Sequence, residues 1–373
     1  RTRMLLLVGI FTLGQLSQFA CAATDPEAFM SASDSSCHRP AVLFAHGFGG
    51  GSPEFFMNPP ASAPAMILAD AGFDVYLLNF RGTTYCKRHT TLKPWDNKFW
   101  QFTVDELAKY DAPVVIDKVL ELSGQSGVYW IGHSMGTSIG YLTLAENPTY
   151  NSKVKALFQM APSGASFHSK GLIRLAFLAY NTFKPVVDFY RVALGSHEVA
   201  FQLSFIYRPL VQLCTLIPFG PQVCNFGVSL LMGPSTRPLN LTRAPVYLAH
   251  TPSGTSTWNA LHLAQIATRG KFEHMDHNPL ENIQRYGQET PIPYDLSNIN
   301  VPVYHFSSAS DYLATAEDIA HTTSLMRERT VKGSFVIPGY NHIDFAVAAD
   351  CADQVFKPIT EIVRREEKEM CER

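Results

Sequence analysis

The chain has 373 residues, 46% of them hydrophobic, and a formal net charge of −2. That is enough apolar material to bury the core of one large α/β domain carrying an insertion. A charge so close to zero excludes nucleic acid and anionic membrane as partners held by electrostatics, and no internal repeat or low-complexity stretch divides the sequence.

Arg1 and Arg3 precede an apolar run from Met4 to Leu16, and Ala20-Cys21-Ala22 offers a small-x-small cleavage site. The pattern predicts a secretory signal over residues 1–22. The run is too short to span a bilayer, and no later stretch reaches the roughly 18 uninterrupted apolar residues of a spanning helix. No transmembrane segment is therefore expected. Secretion permits disulfides. Beyond Cys21 the candidates are Cys37, Cys86, Cys214, Cys224, Cys351 and Cys371, and spacing alone does not pair them. Asn240-Leu241-Thr242 is a glycosylation sequon, which predicts a surface loop at Asn240.

The sheet begins after Pro40. Ala41 to Ala45 reads as a short apolar strand, closed by His46-Gly47-Phe48-Gly49-Gly50-Gly51. A glycine loop at a strand end can leave backbone N–H groups free to face a developing oxyanion. Ala63 to Ala71 has helical spacing, and Val75 to Phe80 reads as the next strand. Arg81, Lys87, Arg88 and His89 form a small basic cluster that reads as a solvated or paired loop. Thr103 to Tyr110 predicts one helix, and Pro113 starts a second that runs to about Leu122.

The next stretch carries the chemistry. Val128 to Ile131 is an apolar strand, Gly132-His133-Ser134-Met135-Gly136 follows, and Ile139, Leu142 and Leu144 then recur with helical spacing. A strand, a Gly-x-Ser-x-Gly turn and a helix form a nucleophile elbow, in which the glycines let the backbone turn sharply and the serine stands clear of the sheet. Ser134 is the expected nucleophile. The oxyanion donors expected in this arrangement are the backbone N–H groups of Phe48 and of Met135.

Val154 to Met160 reads as another strand, after which the strand pattern stops. Leu172 to Tyr180, Val199 to Leu216 and Phe226 to Met232 are helix-like and rich in apolar and aromatic residues. Residues 164–299 therefore read as an insertion between two parts of one core, 23–163 and 300–373. Val301 to Phe306 returns to the sheet, and Asp311 lies just past it, where this arrangement needs an acid. Asp295 precedes the strand and Asp318 falls in the next helix, so both are weaker candidates. Phe335 to Ile337 leads into His342. The order Ser134, Asp311, His342 is that of a serine triad on an α/β-hydrolase sheet. His46 and His133 belong to the oxyanion and elbow motifs. His274, Asp276 and His277 lie in the insertion without a third well-spaced cluster, so no metal site is expected. The triad requires no metal or organic cofactor.

Several longer runs resemble the acid lipase family of lysosomal acid lipase and gastric lipase. They are Ile67-Leu68-Ala69-Asp70-Ala71-Gly72-Phe73-Asp74-Val75, Asn79-Phe80-Arg81-Gly82, Asp105-Glu106-Leu107-Ala108-Lys109-Tyr110-Asp111 and Thr251-Pro252-Ser253-Gly254-Thr255-Ser256. The similarity extends from about Ala41 to Lys357. It implies an α/β-hydrolase fold with a mainly helical cap over the site, and hydrolysis of lipid esters such as acylglycerols and sterol esters. The implied partner is a lipid ester or the surface of a droplet or micelle, and the implied destination is outside the cell or a lysosome-like compartment.

Two departures fall beside the site. Met135 stands where the family usually has Gln, and Phe48 with glycines stands where it has Leu-rich residues. Because the oxyanion donors are backbone groups, these changes bear on the acyl pocket rather than on the chemistry. Cys214 and Cys224 flank the turn-rich Pro218-Phe219-Gly220-Pro221, and the resemblance implies a disulfide in this region. Asp25-Pro26-Glu27 resembles the start of the mature family sequence, yet only Ser31 to Arg39 separates Met30 from the His-Gly strand region. The family's N-terminal strands are thus expected to be missing, which would leave an open sheet edge. The triad residues do not separate a hydrolase from a transacylase, while an intact triad argues against a silent lipid carrier.

Overall fold

The computed structural model describes residues 4–5, 19–20, 39–199, 219–237 and 240–371. Among these, one sheet of seven strands organises the chain: β1 (Met4–Leu5), β2 (Ala41–Ala45), β3 (Asp74–Leu77), β4 (Val128–His133), β5 (Val154–Met160), β6 (Val303–Ser307) and β7 (Val331–Val336). Their spatial order is β1-β3-β2-β4-β5-β6-β7, and every neighbouring pair is parallel. A parallel sheet covered on both faces explains why β2 and β4 read as unbroken apolar runs rather than alternating ones. In β4 the side chains divide by face: Val128 and Trp130 enter one core, Tyr129 and Ile131 the other.

The first core is closed by α2 (Ala112–Ser123), through Val115, Ile116 and Val119, and by α3 (Met135–Glu146), through Ile139, Leu142 and Leu144. The second is closed by α1 (Pro64–Asp70) and by the C-terminal helix Lys357–Cys371, which contributes Ile359 and Val363. The central helix α3 is buried from Met135 to Ala145. It is therefore a core element, and its position fixes that of the residue before it.

Pro113 does not start a second helix. Val104–Glu106, a π turn over Leu107–Asp111 and α2 form one continuous run, entered by a capping box between Thr103 and Glu106. Inside a regular helix a proline lacks its N–H and its ring strikes the carbonyl one turn back. The π turn, in which Ala112 N–H donates to Leu107 O, opens the ladder just before Pro113. Two members of the basic cluster are paired: the Arg81 Nε–H donates to Asp111 Oδ1 at 2.7 Å, and Lys87 Nζ lies 2.6 Å from Glu198.

The sheet edge expected to be open is occupied in part. Met4 and Leu5, within the predicted signal, pair with Val75 and Tyr76 of β3, and Phe19–Ala20 pairs antiparallel with Arg88–His89. A bare edge presents N–H and C=O groups that any extended segment can satisfy, so residues from an unrelated part of the sequence can take the place of a family strand.

Between β5 and β6, the residues expected as an insertion carry helices α4 (Gly171–Thr182), α5 (Lys184–Leu194), α6 (Gly220–Met232), α7 (Ala244–His250), α8 (Thr257–Arg269) and α9 (Pro279–Tyr286). The helix expected over Val199 to Leu216 lies, beyond Val199, outside the described residues. Helices α4 to α6 present Leu175, Phe189 and Phe226 to solvent, each at least 60% exposed. No helix among the described residues is long and apolar enough to cross a membrane.

The Arg81–Asp111 pair ties the loop after β3 to the π turn, with both side chains buried. Asp111→Ala leaves the guanidinium without its carboxylate in a dry site. The variant is expected to lose about 3–5 kcal/mol, read as a shift of the urea unfolding midpoint without change in slope.

Candidate active site

Ser134 follows the last residue of β4 and precedes α3, with φ 52° and ψ −121°. The elbow is thus left-handed at the serine itself. Gly132 and Gly136 have no positive φ, which corrects the expectation that their conformational freedom makes the turn. Their role is space. A methyl group on Gly132 would lie 2.6 Å from Gln159 Oε1 and 2.7 Å from the Gly136 carbonyl oxygen, and one on Gly136 would overlap the backbone carbonyl of Ala45. The start of α3 is wedged between β2 and β4, and only glycine fits there.

The other two triad candidates converge on this point. Asp311 follows β6 and His342 lies in the loop after β7. His342 Nε2 is 2.7 Å from Ser134 Oγ, and His342 Nδ1 is 2.9 Å and 3.0 Å from the two Asp311 oxygens. All three residues are buried. Asp311 Oδ1 also accepts the N–H groups of Leu313 at 2.8 Å and Ala314 at 2.9 Å, which orient the carboxylate. The carboxylate fixes the proton on Nδ1, so Nε2 is free to accept from Ser134 Oγ. Asp318, the weaker candidate, is engaged elsewhere: it accepts from the amides of Phe167 and His168 at the start of the Ala316–Ser324 helix.

Among the described residues neither the Phe48 nor the Met135 amide donates to another protein group. Gly47 packs against the serine closely enough that a methyl there would sit 3.1 Å from Ser134 Cβ. Met135 directly follows the nucleophile candidate, and Phe48 follows the Gly47 that packs on it. The Phe48 side chain is 41% exposed.

Three features had no legible sequence signal. Ser163 Oγ lies 3.4 Å from Ser134 Oγ. Glu54, an isolated acid in a glycine- and proline-rich loop, bonds to His133 Nδ1 and accepts the Gly47 N–H at 3.3 Å. Burial favours the neutral form of each partner, but their mutual attraction outweighs it, holding the Glu54 carboxyl below its usual range and the His133 imidazole above. The third is a brace from the helical segment. Met232, the last residue of α6, accepts the backbone N–H groups of His342 at 3.1 Å and Tyr312 at 3.3 Å. Close by, the Ser235 hydroxyl donates to Asp344 Oδ2 at 2.5 Å.

Other expected residues fall away from this centre. His274 stacks on Tyr294 with ring centroids 4.1 Å apart and lies 3.4 Å from both Asp105 and Glu146. Burial opposes its charge, but hydrogen bonds to these two carboxylates raise its pKa to about 9. Asp276 pairs with Arg269, and His277 lies 3.4 Å from Glu281. Among the described residues no three His, Cys, Asp or Glu side chains are grouped to hold a metal ion. Asn240 is exposed, and its side chain accepts from Thr242. Cys224 and Cys86 are disulfide-bonded, while Cys351 is a buried free thiol. Cys214 lies outside the described residues.

A parallel sheet with the serine on a left-handed turn between strand and central helix, and with Asp and His on later strand ends, defines an α/β hydrolase. Comparison with known proteins agrees. The α/β-hydrolase-fold family profile matches residues 40–347. The Caenorhabditis elegans lipase lipl-1 is 35% identical over 331 residues, covering 88% of this chain and 81% of that protein. Gastric triacylglycerol lipase of Bos taurus is 32% identical, with the same two coverages. Human lipase member M is also 32% identical and covers 88% of this chain and 76% of its own length. A crystal structure from Sulfolobus solfataricus, provisionally called a lipase, shares the fold at a TM-score of 0.54 and 13% identity, over 88% of this chain and 87% of that one. The chain belongs to the acid lipase family of α/β hydrolases, and is a lipase-type carboxylic ester hydrolase.

The brace to Asp344 has a pH dependence. Burial raises this carboxyl to about 6, against the hydrogen bonds from Ser235 and the Asn341 amide; Asp350 raises it further and Arg237 opposes. The folded state holds a proton that the unfolded chain releases near 3.8. The group therefore favours folding at low pH, and that contribution is lost as the pH rises through about 6. Asp344→Asn is expected to gain thermal stability relative to wild type as the pH rises from 4 to 7, followed by calorimetry at each pH.

Proposed function

We propose that the protein hydrolyses carboxylic esters of lipids, acylglycerols or sterol esters, through Ser134, His342 and Asp311. The observation that carries this reading is the continuous hydrogen-bond path from Ser134 Oγ through His342 to Asp311. His342 Nε2 takes the serine proton as Oγ attacks the ester carbonyl carbon. The Phe48 and Met135 amides receive the oxyanion, each donor contributing about 3–4 kcal/mol in comparable sites. Collapse expels the alcohol, which leaves with the proton held by His342. Water then attacks the acyl-enzyme with His342 again as base, releasing the acid and restoring Ser134.

The helical segment 164–299 acts in this reading as a cap, with the apolar side chains of α4 to α6 meeting the lipid. Its link to the site through Met232 and Ser235 supports that assignment. Entry into the secretory pathway would suit the exposed sequon at Asn240 and the oxidised Cys86 and Cys224. Cys214 is the proposed partner of Cys224. A loop so short contributes at most about 3 kcal/mol, so it orders the cap locally. Peptide mapping without reduction is expected to recover Cys214 linked to Cys224, and two free thiols in secreted material would refute it.

The direct test is a fluorophosphonate probe, with a panel of acylglycerols and cholesteryl esters assayed from pH 4 to pH 8. The wild-type protein is expected to be labelled at Ser134. A folded Ser134→Ala protein is expected to lose labelling and at least about 10³-fold in kcat. Unlabelled Ser134 in the wild type, or near-normal turnover by Ser134→Ala, would remove this mechanism.

A further inference from the structure

Three loops must stand in one register for the proposed reaction: the glycine loop after β2, the elbow after β4 and the His342 loop after β7. One partly buried acid touches or reaches all three. Glu54 sits on the single turn Ser52–Phe55. Its Oε2 accepts the Gly47 N–H at 3.3 Å, and its Oε1 meets His133 Nδ1. The other ring nitrogen of His133, Nε2, lies 2.9 Å from the His342 carbonyl oxygen.

Hydrogen counting makes this arrangement specific. Both nitrogens of His133 face oxygens that can only accept, a carboxylate and a backbone carbonyl, so both carry hydrogen. His133 is therefore an imidazolium, and Glu54 is its counter-ion. The neighbouring His46 is the neutral counterpart, since its Nε2 accepts the Phe80 N–H at 3.2 Å; burial holds its pKa down. The glycine run makes room for the acid. A side chain on Gly50 would overlap Glu54 Oε2, although Gly50 itself needs no left-handed backbone.

We propose that Glu54 is a positioning residue for ester hydrolysis, holding the Phe48 amide loop, the residue before Ser134 and, through His133, the backbone of the base in a single register. This rests on the triad reading above. Glutamine at the position replaces one acceptor by an NH2 group. Its NH2 can only donate to Nδ1 of a neutral His133, so the charge-assisted bond gives way to a weaker neutral one and the three links hold the loops less tightly. The loops then drift relative to one another while the fold, built on the two cores, persists.

The experiment compares wild type, Glu54→Gln and Gly50→Ala on a soluble p-nitrophenyl ester, with kcat expressed per serine titrated by fluorophosphonate. Counting sites in this way removes unfolded protein from the result. Glu54→Gln is expected to lower kcat by about 10- to 100-fold, the range for misplacement of about 1 Å, with KM within about twofold. Affinity for a trifluoromethyl ketone, which mimics the tetrahedral state, should fall by the same factor as kcat/KM. Gly50→Ala displaces the same carboxylate without changing its chemistry. It should slow turnover in the wild-type background and add far less in Glu54→Ala, where the overlap with the carboxylate is gone and only a 3.1 Å approach to the Gly47 carbonyl remains; this arm carries the test if Glu54→Gln does not fold. A kcat per titrated serine within twofold of wild type in Glu54→Gln, or a loss confined to KM, would overturn the proposal while leaving the triad intact. Absence of labelling at wild-type Ser134 would instead overturn the triad and this inference with it.

Discussion

The structure depends on a shortage of space at the N-terminus of α3. Ser134 holds a backbone conformation that a residue with a side chain adopts at a cost of about 1–3 kcal/mol. It is kept there because the helix start is pressed against β2 and β4, with Gly136 against the Ala45 carbonyl and Gly132 against Gln159. The two cores on either face of the sheet offset that cost. Burial of α3 from Met135 to Ala145 means that it cannot withdraw without opening one of them. The placement of the serine is therefore in large part a product of the packing behind it.

This explains what could and could not be read in the sequence. The elbow is local: strand, motif and helix are adjacent, so Ser134 was legible, and chain order then pointed to Asp311 and His342. Strand Ala41–Ala45 was legible because an unbroken apolar run of that length suits a sheet buried on both faces, and Val154–Met160 because its apolar run is broken only at Lys155 and Gln159. The reason for the glycines was not, because crowding by Ala45 and Gln159 comes from strands distant in sequence. Pro113 misled for a related reason. A π turn is invisible in composition, and a proline near the start of an apolar period resembles a helix start. Glu54 carries no local pattern at all, and its importance arises only when the loops after β2, β4 and β7 are brought together.

The polar layer over the sheet divides into two halves with different characters. On the Ser134 side, the buried His133 ring and the partly buried Glu54 carboxylate join the elbow to the glycine loop. On the Asp311 and His342 side, the contacts are mainly backbone amides donating to Met232 and to Asp311 itself. Backbone amides do not titrate, so these contacts to Asp311 and from His342 are indifferent to pH. The titrating member of that half, Asp344, lies two residues past His342 and is gripped by Ser235 from the helical segment.

That grip has a mechanical meaning. Helix α6 is fixed at its C-terminal end, where Met232 holds both the His342 and Tyr312 amides, and its opposite end begins beside the 75% exposed Phe219. Its 13 residues make a rod about 20 Å long. Any shift at the C-terminal end of α6 would therefore be passed directly to the backbone amides of His342 and Tyr312, which both hang from the one Met232 carbonyl.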